Sequence, residues 1–251
     1  MRTKIALALF VFVFAMGGAK GQTALYSDAR PREFYVAENP DVASPPQTAT
    51  GEESRVLVLS PQVSTRAAET HAALALSNTS FTGDVTFRGR VQTVRQLRTG
   101  SPPNPWECAW IVWNYQGNHF YYVSLKTNGW EIGKYDRAMK GQQKFLRTGK
   151  ETYAFGVWHE FEITQKENEI TVRIDGTDIA AFRDEVHPYT SGKLGFYTED
   201  AEVQIDDITA PFTDDFEDYA LQIHRGDGRA IKNWFMPFLG HGYGAILTRS
   251  K

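Results

Sequence analysis

Residues 106–136, WECAWIVWNYQGNHFYYVSLKTNGWEIGKYD, hold four of the chain's six tryptophans, interleaved with tyrosines, one histidine and two lysines. Aromatic rings lie against the apolar faces of sugar rings, while Arg, Asn, Gln and Lys hydrogen-bond hydroxyls or carboxylates; a few placed polar groups in an apolar setting make a ligand groove. Such a groove is expected from Arg88, Arg90, Gln92, Trp110, Asn114, Tyr122 and Lys126, with Trp130, Glu131 and Lys134 projecting from the next hairpin. Eliminative cleavage of a uronate polymer needs a group that neutralises the carboxylate and a base that removes the C5 proton. Arg90 with Tyr122 or His119 meets that requirement. The competing reading makes the same aromatics the filling of a core, with their polar tips satisfied at its edge. Both stay open on the residues alone.

The elements that must position these side chains are strands, in which successive residues point to opposite faces. In VTFRGRVQ, Val85, Phe87, Gly89 and Val91 share the apolar parity, and Thr86, Arg88, Arg90 and Gln92 the other. Arginine is almost never buried unpaired, so the second row is expected to face solvent or ligand. In HFYYVSLK, Tyr121, Val123 and Leu125 oppose Phe120, Tyr122, Ser124 and Lys126. In AWIVWNY, Ile111, Trp113 and Tyr115 oppose Trp110, Val112 and Asn114. The mixed rows are expected to combine on one sheet face. His119 has the opposite parity from Tyr122 but adjoins a turn, where alternation breaks.

From Arg55 onward such segments recur (RVLVLS, HAALALS, WHEFEITQ, EITVRIDG, DIAAFRD, GKLGFYTED and AEVQIDDI among them), separated by turn pairs such as Asn128-Gly129 and Asp175-Gly176. No sustained 3.6-residue period exists; one short helix is expected near Arg66–His71. The fold class is therefore all-β, a two-sheet antiparallel jelly-roll sandwich. Residues 55–210 form its domain; residues 22–54, rich in Pro, Ser and Thr, read as an N-terminal arm, and residues 211–251 as a C-terminal extension packed on the sandwich.

The chain opens with a basic segment and an apolar run from Ile5 to Met16, then Ala19 and Gly21 at signal-peptidase spacing. Residues 1–21 are expected to be a cleaved signal, giving a secreted or periplasmic protein with no membrane span after cleavage. The remaining 230 residues carry 24 basic and 30 acidic side chains, a net charge of −6, which argues against general affinity for nucleic acid. Cys108 is the one cysteine, so there is no intrachain disulfide and no cysteine-based zinc cluster. A monomer is expected.

PPNPWECAWIVWNY, HFYYVSLKTNGWEIGKYD, GVWHEFEITQKENEITVRIDGTDIAAFRD and GKLGFYTEDAEVQIDDI together resemble the concanavalin A-like lectin/glucanase superfamily over roughly residues 75–210. The likeness is to exported bacterial domains related to the 3-keto-disaccharide hydrolase and laminin-G-like groups. That resemblance implies the fold and a polysaccharide or oligosaccharide partner; it leaves the reaction open, because the architecture hosts hydrolases, lyases and non-catalytic lectins alike.

The strand motif of retaining family 16 glycosidases, Glu-x-Asp-x-x-Glu, is absent. Glu199, Asp200 and Glu202 do not reproduce its spacing and read as a solvated strand end or a calcium site. Leu221-Gln222-Ile223-His224 resembles one element of jelly-roll alginate lyases without the companion strands. There is no Gly-x-Ser-x-Gly elbow, no phosphate loop and no His-Glu-x-x-His. No cofactor is required; a structural calcium is expected at Asp206 and Asp207, with Asp214 and Asp215 as further oxygen ligands. The chain is thus read as an exported protein that binds a glycan and cleaves it as a lyase or hydrolase, with a lectin-like or envelope structural protein as the alternative.

Overall fold

The period-two patterning resolves into two antiparallel sheets packed face to face. The computed structural model describes residues 53–250; the expected signal segment and the arm up to residue 52 lie outside the described residues. The nine-stranded sheet runs in the order β10 (Thr177–Arg183), β9 (Glu169–Ile174), β8 (His159–Lys166), β3 (Val85–Gln96), β12 (Ala201–Thr209), β1 (Glu53–Ser60), β17 (Tyr243–Ser250), β14 (Gln222–Arg225). The short β13 (Thr213–Asp214) pairs with β12 off this path. The eight-stranded sheet runs β15 (Arg229–Ile231), β16 (Trp234–Phe238), β2 (Ala72–Thr82), β11 (Ser191–Glu199), β4 (Trp110–Tyr115), β5 (His119–Lys126), β6 (Gly129–Asp136), β7 (Gln143–Gly149). Among the described residues there is no helix, and so none long and apolar enough to cross a membrane.

The apolar parities meet between the sheets. Phe87 and Val91 of β3, Phe161 and Ile163 of β8, and Val203 and Ile205 of β12 pack with Ile111 and Trp113 of β4, Tyr121 and Val123 of β5, and Phe196 of β11. Each such side chain, fully buried, contributes about 1.5–3 kcal/mol. At the β9–β10 hairpin Asp175 and Gly176 both adopt positive φ, 49° and 75°, the primed turn whose twist matches the strands it joins.

Three expectations need correction. The segment near Arg66–His71 is a turn closed by Glu69 N donating to Arg66 O, with the Glu69 carboxylate accepting from the Thr65 and Arg66 amides. The jelly roll does not end at residue 210: β16 hydrogen-bonds to β2 and β17 lies between β1 and β14, so the tail completes both sheets instead of lying across them. Trp234 of β16 is fully buried against Phe196, Phe212 and Phe216. Finally, β3 and β4 are consecutive in sequence but belong to different sheets, which separates the two halves of the expected groove.

Candidate functional site

Arg88, Arg90 and Gln92 stand on β3 in the nine-stranded sheet, whereas Trp110, Asn114, Tyr122, Lys126, Trp130, Glu131 and Lys134 belong to β4, β5 and β6 of the other. They do not share a groove. Arg88 pairs with Glu162 at 2.6 Å, and Arg90 reaches Asp206 at 2.5 Å and Asp207 at 2.9 Å with its guanidinium over Trp158. These arginines line an open depression of about 250 Å3 with Glu160, Glu162 and Arg173, where carboxylates compensate the cations. Arg90 is thus unavailable to Tyr122. The calcium expectation meets the same obstacle: Asp206 and Asp207 hold Arg90, and Asp214 accepts from Trp234 Nε1, Asn233 Nδ2 and the Tyr219 hydroxyl. Among the described residues no group of three or more His, Cys, Asp or Glu is placed to hold a metal ion.

Within the eight-stranded sheet, four expected residues do come together and four do not. Trp130 is in the core, its Nε1 donating to Glu151. Lys134 is 1% exposed and ion-paired with Asp184 at 2.5 Å, beside the core residue Tyr121. Asn114 has φ 51°, and its Nδ2 donates to Gln165 Oε1 and Tyr189 O. The register of β4 against β11 slips there, with Tyr115 opposite Lys193 but Val112 opposite Gly195. That bulge turns Asn114 inward, where simple alternation places it outward. His119 lies over the Tyr189 ring, centroids 4.3 Å apart, on the same parity as Tyr121 and away from Tyr122.

The row that remains crosses the sheet in register on the side away from the sandwich core, where Trp110, Tyr122 and Ser124 are nevertheless fully buried. Tyr197 is opposite Trp110, Trp110 opposite Ser124, and Ser124 opposite Glu131, so these four side chains share one face. The Trp110 and Tyr122 rings are 4.6 Å apart, and Trp110 also meets Tyr197 edge-on. Lys126 Nζ lies 2.8 Å from Glu131 Oε1, at the side of the face where both side chains reach the surface. At the end of β11, the Tyr197 hydroxyl donates to Glu199 Oε1 at 2.7 Å. The β3–β4 connection arrives there as well. Arg98 bonds Glu107 and Asp200, each at 2.5 Å, Asn104 Nδ2 donates to Glu107, and Trp110 Nε1 donates to Trp106 O.

Against known proteins, residues 77–210 match the family described as 3-keto-alpha-glucoside-1,2-lyase-like domain. The chain belongs to this family. Its concanavalin A-like sandwich is the fold that the sequence resemblance implied. The match runs from β2 to just past β12, although β1 and the strands after residue 210 complete the same two sheets of this lyase-like domain. No curated protein matches the sequence. Among solved structures, the chain is similar to a carbohydrate-binding module of Bacillus subtilis, at 12% identity over 56% of this chain and 81% of that one, TM-score 0.47. It is similar to sheep galectin-11 at 16% identity, covering 54% and 95%, TM-score 0.41. It is also similar to a heptameric pentraxin of Limulus polyphemus at 9% identity, covering 62% and 76%, TM-score 0.39.

The electrostatics of the lyase-like domain concentrate on this same face. Burial raises the Glu199 carboxyl to about 7; the Tyr197 hydroxyl opposes the rise, and the nearby Asp200 and Glu107 add to it. Glu107 is also raised by burial, against the hydrogen bonds from Arg98 and Asn104. Tyr122, whose hydroxyl accepts from Gln143 Nε2, is pushed upward by burial, away from what a phenolate base needs. Glu199, Asp200 and Glu202 are not a solvated strand end: all three are buried. Sequence reading missed Arg98, Glu107 and Tyr197 altogether. A signal for Glu199 and Tyr197 existed in YTED, where both share one parity of β11. A carboxyl that titrates near neutrality beside aromatic rings can accept a proton from a bound ligand at physiological pH.

Proposed function

We propose that the outer face of the eight-stranded sheet binds a glucoside oxidised at C3 and eliminates its C1 substituent, with Glu199 as the base. The C3 ketone acidifies the C2 hydrogen. Glu199 takes that proton, the C2–H electron pair becomes the C1=C2 bond, and the C1–O pair leaves with the departing oxygen, which is protonated in turn. The product is an unsaturated ketone, and no water is consumed. The Tyr197 hydroxyl orients the Glu199 carboxylate beside the buried Trp110 and Tyr122 rings. The observation that carries this reading is the Glu199 carboxyl, buried and raised to about 7 on the face that holds the aromatic row. Such a base is half ionised near pH 7, which balances availability against proton affinity. Lys126 and Arg98, next to Glu131 and Glu107, are committed to carboxylates, which favours a neutral sugar over a uronate. Export through the N-terminal segment is part of the proposal.

The test is incubation of the purified protein with methyl 3-keto-α-glucopyranoside. Ultraviolet absorbance of the conjugated enone and release of methanol are expected, with methyl α-glucopyranoside left intact. Glu199→Gln should lower turnover by roughly 10²- to 10⁴-fold. Cleavage of the unoxidised glucoside with uptake of water would replace elimination by hydrolysis. Binding of the ketoside without turnover would make the protein a carbohydrate-binding domain.

A further inference from the structure

Residues 99–106 of the β3–β4 connection lie between two buried residues that hold each other. Arg98 Nε bonds Glu107 Oε1 at 2.5 Å, and both side chains are at most 2% exposed. From Thr99 to Trp106, by contrast, no residue is buried. The ends of the segment are thus clasped while its middle lies at the surface, the form of an Ω-loop. Pro102, Pro103 and Pro105 stiffen it and remove backbone donors. Asn104 O accepts from the Glu107 amide across Pro105, so the second half is a single turn.

The root of this loop is firm and its seat is not. At the root, Ser64 O accepts from the Thr99 and Gly100 amides, and a Cβ at Gly100 would lie 2.3 Å from the Thr65–Arg66 backbone. Farther out, Gln96 Nε2 donates to Asn104 O at 2.7 Å and Trp110 Nε1 to Trp106 O at 2.9 Å. Each such neutral bond contributes about 0.5–1.5 kcal/mol, far less than unfolding a domain requires. Segments held this way open locally while the rest stays folded. Beneath lies a closed face, with Trp110, Tyr122 and Glu199 each 1% exposed. Yet Ser124 Oγ and Glu107 Oε2 are buried there without a hydrogen-bond partner, which a permanently sealed core rarely tolerates.

We propose that residues 99–106 form a strap that closes the outer face of the eight-stranded sheet and swings open about the Arg98–Glu107 clasp, with both sheets intact. Opening breaks the outer bonds at Asn104 and Trp106 and uncovers Trp110 and the end of β11 that carries Glu199. The swing stands on the strap's own attachments. Its use, admitting a glycoside to Glu199, rests on the function proposed above.

Cys108 reports the movement. It is the chain's one cysteine, fully buried at the foot of the strap and near Lys126, Glu131 and Glu199. Burial raises its thiol, so it reacts only after opening. The experiment follows alkylation of Cys108 by N-ethylmaleimide, read by mass spectrometry, across a urea series below the unfolding transition. Labelling is expected to outrun global unfolding and to depend on urea far more weakly than unfolding does. Gln96→Ala, which removes the donor to Asn104 O, should raise the rate roughly 3- to 10-fold with no change of urea slope. Saturating methyl 3-keto-α-glucopyranoside should slow labelling by occupying the opened face. Labelling that appears only with the full urea slope of unfolding, or that ignores Gln96→Ala, overturns the strap even if the enone forms. Enone formation with labelling indifferent to the ketoside overturns the strap as the entrance for substrate. Labelling as expected, with neither a ketoside effect nor enone, removes the proposed reaction and leaves the strap standing.

Discussion

The outer faces of the two sheets hold their ion pairs at different depths. On the nine-stranded sheet, Arg88 meets Glu162, Arg173 meets Asp178 and Arg183 meets Glu169 in pairs that stay substantially in water, the buried Arg90–Asp206 pair being the exception. Solvated pairs of this kind cost little and contribute little. On the eight-stranded sheet, Arg98, Glu107, Asp200 and Glu199 are buried, Glu199 is pushed toward neutrality, and Ser124 and Glu107 keep unpaired atoms. The second arrangement is expensive to fold. A row of cations on a strand therefore marks a face open to water, whereas polar groups buried without full satisfaction mark the face on which folding alone does not account for the residues.

The comparison is broken most sharply at Arg98. Its side chain is 2% exposed and it is the shared partner of two buried carboxylates. Arg98→Met leaves Glu107 and Asp200 buried without their cation, and a loss of about 3–5 kcal/mol in unfolding free energy is expected. Urea denaturation at pH 7 measures it. A loss below about 1 kcal/mol would mean that the cluster is no more demanding than the salt bridges of the opposite face.

Glu199 gives the next largest effect, and its sign is specific. The folded-state pKa, about 7, lies above the ordinary 4.5, so the folded protein binds the proton more tightly than the unfolded chain does. This contribution is fully present below pH 4.5 and is lost as pH rises toward 7, an effect on the order of 3 kcal/mol for a shift of this size. Glu199→Gln should flatten that portion of the stability-against-pH curve between pH 4.5 and 7, measured by denaturant midpoints at constant ionic strength. If the variant and the wild type keep parallel curves, Glu199 is not the titrating group.

Much of the fold was legible because its signal is local. HFYYVSLK coincides with β5 residue for residue, and unbroken alternation put Tyr121 and Val123 in the core and Tyr122 and Lys126 on the opposite side, although Tyr122 is buried there too. Asn114 escaped that logic through a bulge, and β16 and β17 lie in Gly-, Pro- and Asp-punctuated sequence where alternation is weak. The site was less legible because it depends on strand order. That β4 neighbours β11 and not β3 decides whether Trp110 faces Tyr197 or Arg90, and no spacing within either strand encodes it. Glu199 looked like a solvated strand end because the residues that surround it, Arg98 and Glu107, arrive from about a hundred positions upstream.

Tyr122 sharpens the comparison on a smaller scale. Its buried hydroxyl is held by Gln143, so Tyr122→Phe should cost about 0.5–1.5 kcal/mol while keeping the ring against Trp110 and leaving ketoside turnover within a few-fold of wild type. A loss of turnover as large as that from Glu199→Gln would return the base to Tyr122.

Arg88 sets the floor. Its guanidinium bonds Glu162 across the β3–β8 ladder, but its side chain is 55% exposed and water solvates both partners. Arg88→Ala is expected to change stability by no more than about 0.5–1 kcal/mol, with the small effect shrinking as salt is added, and to leave ketoside binding unchanged. This near-silence carries information, since Arg88 is the kind of residue that strand parity alone nominates for a ligand groove. Weakened binding in Arg88→Ala, measured by calorimetric titration of methyl 3-keto-α-glucopyranoside, would place ligand on the nine-stranded sheet and reverse the assignment of the two faces.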